Sequence, residues 1–496
     1  MEAASSTFVA HSPDASRITL DTLNEHAKAA EYAVRGAIVA RSNELRDQLA
    51  KDPSSLPFSE IISCNIGNPQ ALKQKPISFV RDVVSCVINE SLLDDSIPLP
   101  QDAKDRARIY LSDTPSMGAY TESKGLASVR REVAAFLERR DGYPADTENI
   151  FLTNGASAGV QLVMSTIMRD PASGVRDGIM APIPQYPIYS ALSTLLNGAL
   201  VPYYLDESNA WACSEQAIVS AMEVAEEQGV TLRGLVVINP GNPTGQVLSR
   251  GDMESLIRTC QAKGVAIMAD EVYQENVYKE ATTFQSFRKV AFEMDAFEGD
   301  KPLQLASFHS TSKGFLGECG FRGGYFELNG FDDEVSAVLY KMASLGLCAN
   351  TAGQIVTGAM VNPPREGDVS YTKYEAEKKA ILDSLKRRAV KLSAALNQLE
   401  GMSCNSADGA MYAFPQIQLS QAAVEEAAKH GMAADAFYCM ELLNETGVVV
   451  VPGSGFGQAF GTWHFRTTFL PPDEQMDSVI ASLGDYHDKF MAKFPL

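Results

Sequence analysis

A lysine with hydroxyl neighbours follows an apolar strand candidate late in the chain. The run LQLASFH leads into STSKG, which places Ser310 and Lys313 where the strand should end. An isolated lysine is usually a solvated surface residue, but this one could bond an aldehyde cofactor as a Schiff base while the hydroxyls bind an anion. Arg322 follows between glycines in GFRGG, a setting suited to bidentate phosphate binding. The arrangement predicts a lysine-bound cofactor that carries a phosphate.

Polar residues also end two other strand candidates. Asp270 closes VAIMAD, and Asn242 lies in the turn NPGNPTG after GLVVIN. Asp270 could simply cap a helix, and NPGNPTG could be an ordinary turn in which Asn-Pro adopts the cis form. The functional interpretation is that Asp270 pairs with a protonated ring nitrogen. Asn242, and Tyr273 in the following EVY, would reach an oxygen on the same ring.

Three further segments supply groups that could bind a planar, anionic cofactor and its substrate. In NGASAG, Ala156 and Ser157 open a helix whose free backbone N–H groups attract anions, although Ser157 could be a plain N-cap. Tyr186 in IPQYPIY offers an aromatic face for stacking, or is only half-buried. Arg466 lies in the apolar run WHFRTTFL and needs a carboxylate, which could belong to an internal ion pair or to a substrate.

The segments that carry these residues alternate between strand-like and helical patterns. Between residues 150 and 326, helical stretches separate the short runs IFLT, GIMAPI, ALVPYY, GLVVIN, VAIMAD and LQLASFH. This alternation predicts a mainly parallel sheet that is covered on both faces, with ligands at the carboxyl ends of its strands. Long helices are predicted at residues 21–51 and 374–399, and the tail has the pattern of a smaller α+β lobe.

Length and charge limit the classes of protein that the chain can represent. Because 496 residues are too many for one hydrophobic core, we expect two domains. We place an N-terminal arm at 1–30, the first part of a small domain at 31–75, a large PLP-binding domain, in the terms of the resemblance given below, at 76–360, and the rest of the small domain at 361–496. The net charge of −20 disfavours nucleic acid and anionic membranes as partners.

The sequence does not contain the motifs of several other enzyme classes. The eight cysteines form no C-x-x-C pair and have no ligand spacing with the six histidines, so we expect reduced thiols and no metal site. There is no P-loop, and GSGFGQAFG does not fit the dinucleotide pattern. No apolar run is long enough to span a membrane, and the first residues lack the pattern of a transit segment. We expect a cytoplasmic location, with a mitochondrial one still open if a presequence has been removed.

Several ordered segments together resemble the fold-type-I aminotransferases that use pyridoxal 5'-phosphate (PLP), the class I and II family, and most closely its members that act on alanine. The similar segments span nearly the whole chain and include DTPSMGAYTESKG, IPQYPIYSA, INPGNPTGQV, ADEVYQENVY, ASFHSTSKGFLGECGFRGGY and GAMYAFP. The resemblance implies an α/β fold of PLP-transferase type I, with a mainly parallel seven-stranded sheet between helices in the large domain and a smaller α+β domain. It also implies a homodimer with shared active sites.

The resemblance further implies a role for each candidate residue. Lys313 would bond PLP and act as the catalytic base, Asp270 would pair with the ring nitrogen, and Asn242 and Tyr273 would bind the ring oxygen. The remaining roles are stacking by Tyr186, phosphate binding by Ala156, Ser157, Ser310 and Arg322, binding of the substrate carboxylate by Arg466 beside Gly67, and a phosphate contact from the neighbouring subunit by Tyr120. The spacing from Lys313 to Arg322 is one residue longer than in many relatives, so a one-residue loop insertion is expected there.

The implied reaction is amino transfer with ping-pong kinetics from L-alanine to 2-oxoglutarate, which gives pyruvate and L-glutamate. Transamination between glutamate and glyoxylate is the nearest alternative, since relatives with nearly the same motifs perform it. Alternatives from other classes are a PLP lyase or synthase and a PLP-binding protein without turnover. The joint presence of Lys313, Asp270 and Arg466 argues against the last, because a protein without turnover has no need of all three.

Overall fold

The structure, a computed structural model, describes residues 17–32, 36–280 and 282–496. The α-helices in these residues are α1 (Glu25–Ala29), α2 (Ala37–Lys51), α3 (Ser78–Ile88), α4 (Gln101–Asp113), α5 (Ala127–Asp141), α6 (Ala156–Ile167), α7 (Ile188–Leu195), α8 (Glu215–Glu227), α9 (Arg250–Lys263), α10 (Phe287–Glu293), α11 (Asp333–Leu345), α12 (Thr351–Val361), α13 (Tyr371–Leu396), α14 (Gln421–Lys429), α15 (Ala434–Thr446) and α16 (Asp473–Lys493). The strands are β1 (Ile62–Ser63), β2 (Ile150–Leu152), β3 (Arg176–Ile183), β4 (Ala199–Tyr204), β5 (Val230–Ile238), β6 (Ala266–Asp270), β7 (Leu305–Ser310), β8 (Gly324–Asn329), β9 (Met402–Ser403), β10 (Tyr412–Ala413), β11 (Gln416–Ile417), β12 (Val448–Val449), β13 (Val451–Pro452) and β14 (Phe465–Thr468).

Seven strands form one sheet in the order β2-β8-β7-β6-β5-β3-β4. Neighbouring strands are parallel except at β8, which runs antiparallel to both β2 and β7. The predicted α/β class with a mainly parallel seven-stranded sheet is therefore confirmed, and each of the six apolar runs contributes a strand. The seventh strand, β8, comes from GYFELN, a segment that those runs did not include.

Both faces of the sheet are buried, which explains why its strands are apolar runs. In β5, Leu235 and Val237 pack into a hydrophobic cluster that includes side chains of α8 and α9. Val236 and Ile238 belong to a different cluster, which includes side chains of α6 and α7. Successive side chains of a strand point to opposite faces, so a strand between two helical layers is apolar at every position.

The register of the strands aligns the carboxyl ends of β5, β6 and β7. Ile238 pairs with Asp270, and Asp270 pairs in turn with Phe308, two residues before the end of β7. The backbone N–H of Asn239 donates to the carbonyl of Asp270 at 3.0 Å, which holds the turn after β5 against the end of β6. The polar residues that follow these strands consequently lie at one edge of the sheet, where parallel α/β sheets bind ligands.

The two end segments of the described chain pack into one hydrophobic cluster, which also includes Val272, Tyr273 and Tyr278. Leu45 of α2 belongs to one hydrophobic cluster together with Leu392 of α13 and Leu443 of α15. β1 pairs in parallel with β12, with Ile62 opposite Val448. Helices and short strands from before residue 75 and after residue 360 thus pack into an α+β assembly, while the domain borders themselves stay a prediction. None of the described helices is both long and apolar enough to cross a membrane.

The single helix predicted over residues 21–51 is wrong. α1 ends at Ala29 and α2 begins at Ala37, and residues 33–35 lie outside the described part of the chain. Ala30 has an extended backbone, and the hydroxyl of Tyr32 hydrogen-bonds that of Tyr186. The apolar spacing does not reveal this break, because the contact that replaces the helix joins residues far apart in sequence. The first sixteen residues of the predicted arm also lie outside the described part.

Candidate active site

A cavity of about 450 Å³ opens at the carboxyl ends of β5, β6 and β7. We call it the first cavity. All but one of the residues predicted for the site line this cavity. They are Gly67, Ala156, Ser157, Tyr186, Asn242, Asp270, Tyr273, Ser310, Lys313, Arg322 and Arg466. The exception is Tyr120, which lies in the loop between α4 and α5 and is 78% exposed.

Lys313 reaches across the first cavity to the segment before α3. Its Nζ donates to the carbonyl of Gly67 at 2.7 Å and lies 5.8 Å from the centroid of the Tyr273 ring. A Cβ on Gly67 would come within 2.2 Å of the Tyr412 hydroxyl oxygen and 2.8 Å of Lys313 Nζ, so this close approach requires glycine. Lys313 forms no ion pair with any carboxylate in the described residues.

Asp270 ends β6 as a buried carboxylate with one oxygen free. The hydroxyl of Tyr189 donates to Oδ2 at 2.8 Å, whereas Oδ1 has no hydrogen-bond partner among the described residues. Burial raises the pKa of Asp270, and the Tyr189 hydrogen bond and the charge of Lys313 oppose that rise. The helix-cap alternative is wrong, because residues 272–275 form turns. A cationic donor in the cavity would supply the partner that Oδ1 lacks.

Arg466 in β14 is 1% exposed and has no carboxylate partner in the described part of the chain. Its Nη1 donates to Asn242 Oδ1 at 3.0 Å and its Nη2 donates to the Asn65 carbonyl, while Nε has no partner there. The guanidinium lies 4.3 Å from the ring centroid of Tyr412 and 4.7 Å from that of Phe456. The internal ion pair considered from sequence is therefore not formed, and an anion from outside is the partner that a buried arginine requires.

The start of α6 and Arg322 form a corner suited to a small anion. Ala156 and Ser157 are the first residues of α6, and N–H groups at a helix start have no acceptor within the helix. Gly155 is the residue before the helix, so the interpretation of Ser157 as its N-cap is wrong. A Cβ on Gly155 would lie 2.6 Å from Arg322 Nη2, and φ at Gly155 is +83°, so glycine permits both the turn and the contact.

The longer spacing between Lys313 and Arg322 leaves both side chains on the same cavity. A short 3-10 turn, Cys319–Phe321, precedes Arg322, whose φ of +52° is left-handed. Arg322 Nη1 donates to the Cys319 carbonyl at 3.0 Å, and Nη2 donates to the Asn154 carbonyl at 3.1 Å. These bonds hold the guanidinium beside the start of α6.

The sequence analysis assigned no role to Tyr189, in IPQYPIY, or to Tyr32, in the N-terminal segment. Tyr189 bonds Asp270, and Tyr32 bonds the hydroxyl of Tyr186. Tyr189 is the second residue of α7, and Tyr186 precedes that helix by two residues. Both tyrosines lie in one short segment of the sequence, but nothing local indicates that Tyr189 bonds Asp270, and nothing local marks Tyr32.

Tyr412 is the third tyrosine that the sequence did not single out. Its hydroxyl lies 3.0 Å from the hydroxyl of Tyr273. Burial opposes ionisation of Tyr412, but the charges of Lys313 and Arg466 outweigh it and lower the pKa of Tyr412. In contrast, burial and the neighbouring Tyr412 raise the pKa of Tyr273. Tyr412 thus links the lysine, the arginine and Tyr273 on one side of the first cavity.

The fold and this cavity agree with a match between residues 81–483 and the family model described as aminotransferase class I and II. The chain belongs to this family, which uses PLP as its cofactor.

Two similar proteins are named for different amino-transfer reactions. Over 96% of its length the chain is 48% identical to alanine aminotransferase 2, mitochondrial, of Arabidopsis thaliana, of which the match covers 88%. It is 46% identical to glutamate--glyoxylate aminotransferase 1 of the same plant, with 96% of each chain covered. Among solved structures, an alanine aminotransferase from Pyrococcus furiosus aligns with a TM-score of 0.74 and 22% identity over 94% of this chain and all of the other, which supports the fold.

The residues of the first cavity fit PLP. The unpartnered Oδ1 of Asp270 suits a protonated ring nitrogen, and the start of α6 with Arg322 suits a phosphate. Lys313 supplies the amine that an aldehyde requires, and its Nζ donates to the Gly67 carbonyl rather than to a carboxylate of the described residues.

Proposed function

We propose that the chain transfers the amino group of L-alanine to 2-oxoglutarate and so forms pyruvate and L-glutamate. The observation that carries this proposal is the joint placement of Lys313, Asp270 and Arg466 on one cavity, where neither cation has a carboxylate partner in the described residues. The choice of substrates rests on the 48% identity to a relative named alanine aminotransferase. The chain is proposed to use PLP bonded to Lys313.

Lys313 is proposed as the base of the reaction. Bound PLP supplies an aldehyde that accepts the amino group and a ring that withdraws electrons from the substrate Cα. Lys313 Nζ, once released from the cofactor, takes the proton from Cα. The Gly67 carbonyl and the Tyr412 hydroxyl lie beside Nζ and limit where it can move.

Asp270 and its neighbours are proposed to hold the ring. Asp270 Oδ1 would accept a hydrogen bond from the protonated ring nitrogen, while the Tyr189 hydroxyl donates to Oδ2. Tyr273 and the amide nitrogen of Asn242 would donate to the ring oxygen, since the amide oxygen of Asn242 already accepts from Arg466. Tyr186 would cover one face of the ring, and Ala156, Ser157, Ser310 and Arg322 would bind the phosphate.

Arg466 is proposed to bind the α-carboxylate of every substrate. Its buried guanidinium lacks a carboxylate among the described residues, and Nε has no acceptor there. A bidentate carboxylate would satisfy these donors and bring Cα towards Lys313, with Gly67 leaving space beside it. Both substrates of a transaminase carry this carboxylate, so one arginine serves both half-reactions.

Two features of the family are carried over as proposals. A homodimer with shared active sites would bring Tyr120, which is exposed in the single chain, to the phosphate of a neighbouring subunit. The division into an arm at 1–30, a small domain at 31–75 and 361–496, and a large domain at 76–360 is proposed as the domain structure.

A second candidate is transamination between glutamate and glyoxylate. The observation in its favour is the 46% identity to a relative named for that activity, only slightly below the identity to the relative named alanine aminotransferase. The two candidates share the cavity and Arg466, so the residues of the site do not separate them. A comparison of acceptors does.

The test is to follow the visible absorption of the PLP-loaded chain through both half-reactions. L-Alanine should remove the band of the lysine-bound cofactor, and 2-oxoglutarate should restore it with formation of L-glutamate. Glyoxylate in place of 2-oxoglutarate ranks the second candidate. If neither L-alanine nor L-glutamate changes the absorption band, the proposal of amino transfer is wrong.

A matched pair of variants tests the assignment of the lysine. Lys313→Ala should bind PLP weakly and lose about 10⁴-fold or more in turnover, because the base is gone. Lys379→Ala, on the exposed surface of α13, serves as the control with normal turnover. Borohydride reduction followed by peptide mapping should label Lys313, and a label elsewhere would contradict the assignment.

A further inference from the structure

A second cavity, of about 480 Å³, shares Ser310 and Lys313 with the first cavity but has different walls elsewhere. α5, the end of α12 and the start of α13 contribute its lining, which is largely apolar through Phe136, Phe315 and Met360. The volume lies within the range of sites that hold organic molecules of drug size. The segment that carries Lys313 is thus a common wall of two cavities.

Three of the cations that line the second cavity, and its one acid, form no ion pair among the described residues. Arg139, Arg365 and Lys378 form no ion pair with any carboxylate of residues 17–32, 36–280 and 282–496. Burial and then the charge of Arg365 lower the pKa of Arg139, and the charge of Glu132 opposes that change. Glu275 is the acid of this lining, and it too has no ion pair in those residues.

Arg139, Arg365 and Lys378 place positive charge on the wall of the second cavity. Acidic residues outnumber basic ones by 62 to 42, so acids are abundant enough to pair with most cations. Arg140, which also lines the second cavity, shows the ordinary outcome, since its Nη2 lies 2.7 Å from Asp141 Oδ2. Cations without an ion pair around a largely apolar cavity supply the positive charge that would attract the head of an anion.

A buried hydroxyl gives independent support. Tyr374 lines the second cavity and is 1% exposed, yet its hydroxyl has no hydrogen-bond partner among the described residues. A buried hydroxyl without a partner costs free energy, so an acceptor at this place would be favourable. An anion offers such an acceptor, and the three cations do not.

We propose that the second cavity binds an organic anion that combines an apolar body with a carboxylate or phosphate head. The head would lie near Arg139 and Arg365, and the body would cover the apolar lining around Phe136 and Phe315. Because Lys313 belongs to both walls, such a ligand would contact the segment that carries the proposed catalytic base. Binding itself does not depend on the proposed amino transfer, so the two proposals can fail separately.

The test is calorimetric titration of the PLP-loaded full-length chain with three probes of equal body. 2-Naphthoate carries a carboxylate, 2-naphthyl phosphate carries a phosphate, and 2-naphthol is neutral near pH 7. At least one anionic probe should bind at millimolar concentration or below, and about tenfold more tightly than 2-naphthol, because a charge-assisted bond contributes about that factor. The better of the two anionic probes identifies the head group. Failure of both anions to bind would overturn the proposal.

Variants locate the binding. Arg139→Gln with Arg365→Gln should weaken the better anion about tenfold or more. Arg131→Gln with Lys379→Gln, a pair on α5 and α13 outside this lining, should leave it unchanged. Tyr374→Phe should weaken binding by a smaller factor while the fold stays stable, since no internal hydrogen bond is removed.

Three results would overturn the proposal. Equal loss in the control pair would show a general charge effect. Loss of binding in Arg466→Gln, with none in the Arg139 and Arg365 pair, would place the anion in the first cavity. If the chain forms a dimer and the Arg139→Gln, Arg365→Gln double variant dissociates it, this surface is an interface between copies of the chain.

Discussion

Asp270 and Glu271 are neighbours in sequence, yet they belong to two groups of buried charges with opposite arrangements. Glu271 lies near a paired network in which Arg288 Nε is 2.9 Å from Glu327 Oε2 and Asp141 bonds Arg140. Asp270 belongs to the first cavity, where Lys313 and Arg466 have no carboxylate partner in the described residues. The network neutralises its charges within the chain, whereas the cavity leaves them for a ligand.

The difference teaches how to separate structural from functional charges. An unpaired buried ion is costly, so a chain keeps one only where something else compensates. The network has its compensation built in and should contribute to folding without PLP. The first cavity has polar atoms that only a cofactor and substrate complete, so its residues should matter for turnover and little for stability of the apoprotein.

The largest expected effect comes from one arginine in each group. Arg288→Gln should lower the free energy of unfolding of the apoprotein by about 3–5 kcal/mol, because it leaves buried acids unpaired. Arg466→Gln should leave that free energy within about 1 kcal/mol, because no internal ion pair is lost. Urea titration of both variants measures this contrast.

The same two variants should reverse their order in kinetics. Arg466→Gln should lower kcat/KM for L-alanine by about 10²-fold, since a charged hydrogen-bonding partner of the substrate is lost. Arg288→Gln should keep near-normal kcat/KM at temperatures where it is folded. If both variants lose stability equally, the distinction between the two groups of charges is wrong.

Two aspartates extend the comparison to anions. Asp270→Asn should lower kcat by about 10²-fold or more, because an amide cannot hold a cationic partner as a carboxylate does. Since burial raises the pKa of Asp270, the neutral amide should not destabilise the apoprotein. Asp141→Asn is the control, and it should destabilise the apoprotein because Arg140 loses its ion-pair partner and Arg288 loses one of its two. Equal unfolding midpoints for both variants would contradict this.

The sequence predicted the fold and most of the first cavity for a physical reason. Strands buried on both faces appear as uninterrupted apolar runs, and the polar residue after each run lies at the ligand-binding edge. Asp270, Lys313 and Asn242 could therefore be identified one strand at a time. The order of β8 within the sheet and the break before α2 could not, because both depend on contacts between distant segments.

The second cavity was not predicted, and its residues show why. Arg139, Arg365 and Tyr374 lie on three different elements and carry no local motif. Whether a cation is paired or a hydroxyl bonded is a property of the folded chain. Only the structure shows that these groups lack partners within its described residues.

His309 allows a pH test at the border of the two groups. Burial first, and the charge of Arg140 second, lower the pKa of His309 from 6.5 to about 3. The unfolded chain takes up the proton below about pH 6.5 and the folded chain does not, so this contribution is complete above that pH and is lost as the pH falls towards 3.

The variant His309→Gln should lack this part of the acid sensitivity. Between about pH 8 and about pH 5, the apoprotein should lose about 2 kcal/mol more than the variant does. Urea titrations at the two pH values give the difference directly. If both proteins lose the same free energy of unfolding, His309 is protonated in the folded chain and adds a positive charge near Arg140.

The smallest expected effect belongs to Tyr189, which acts through Asp270 rather than on a substrate. Tyr189→Phe removes the donor to Asp270 Oδ2, and the pKa of Asp270 should rise because that bond lowers it. The carboxyl must be ionised to hold a cationic ring, so the acid limb of the kcat profile should move to higher pH. We expect kcat to fall about tenfold near neutral pH, with KM for L-alanine unchanged.

Tyr203→Phe is the matched control for Tyr189→Phe, since the Tyr203 hydroxyl donates to the Val236 backbone carbonyl at 2.7 Å and not to a carboxylate. If both variants lose stability but neither moves the acid limb, Tyr189 is a structural residue, and the free oxygen of Asp270 alone distinguishes the first cavity from the paired network.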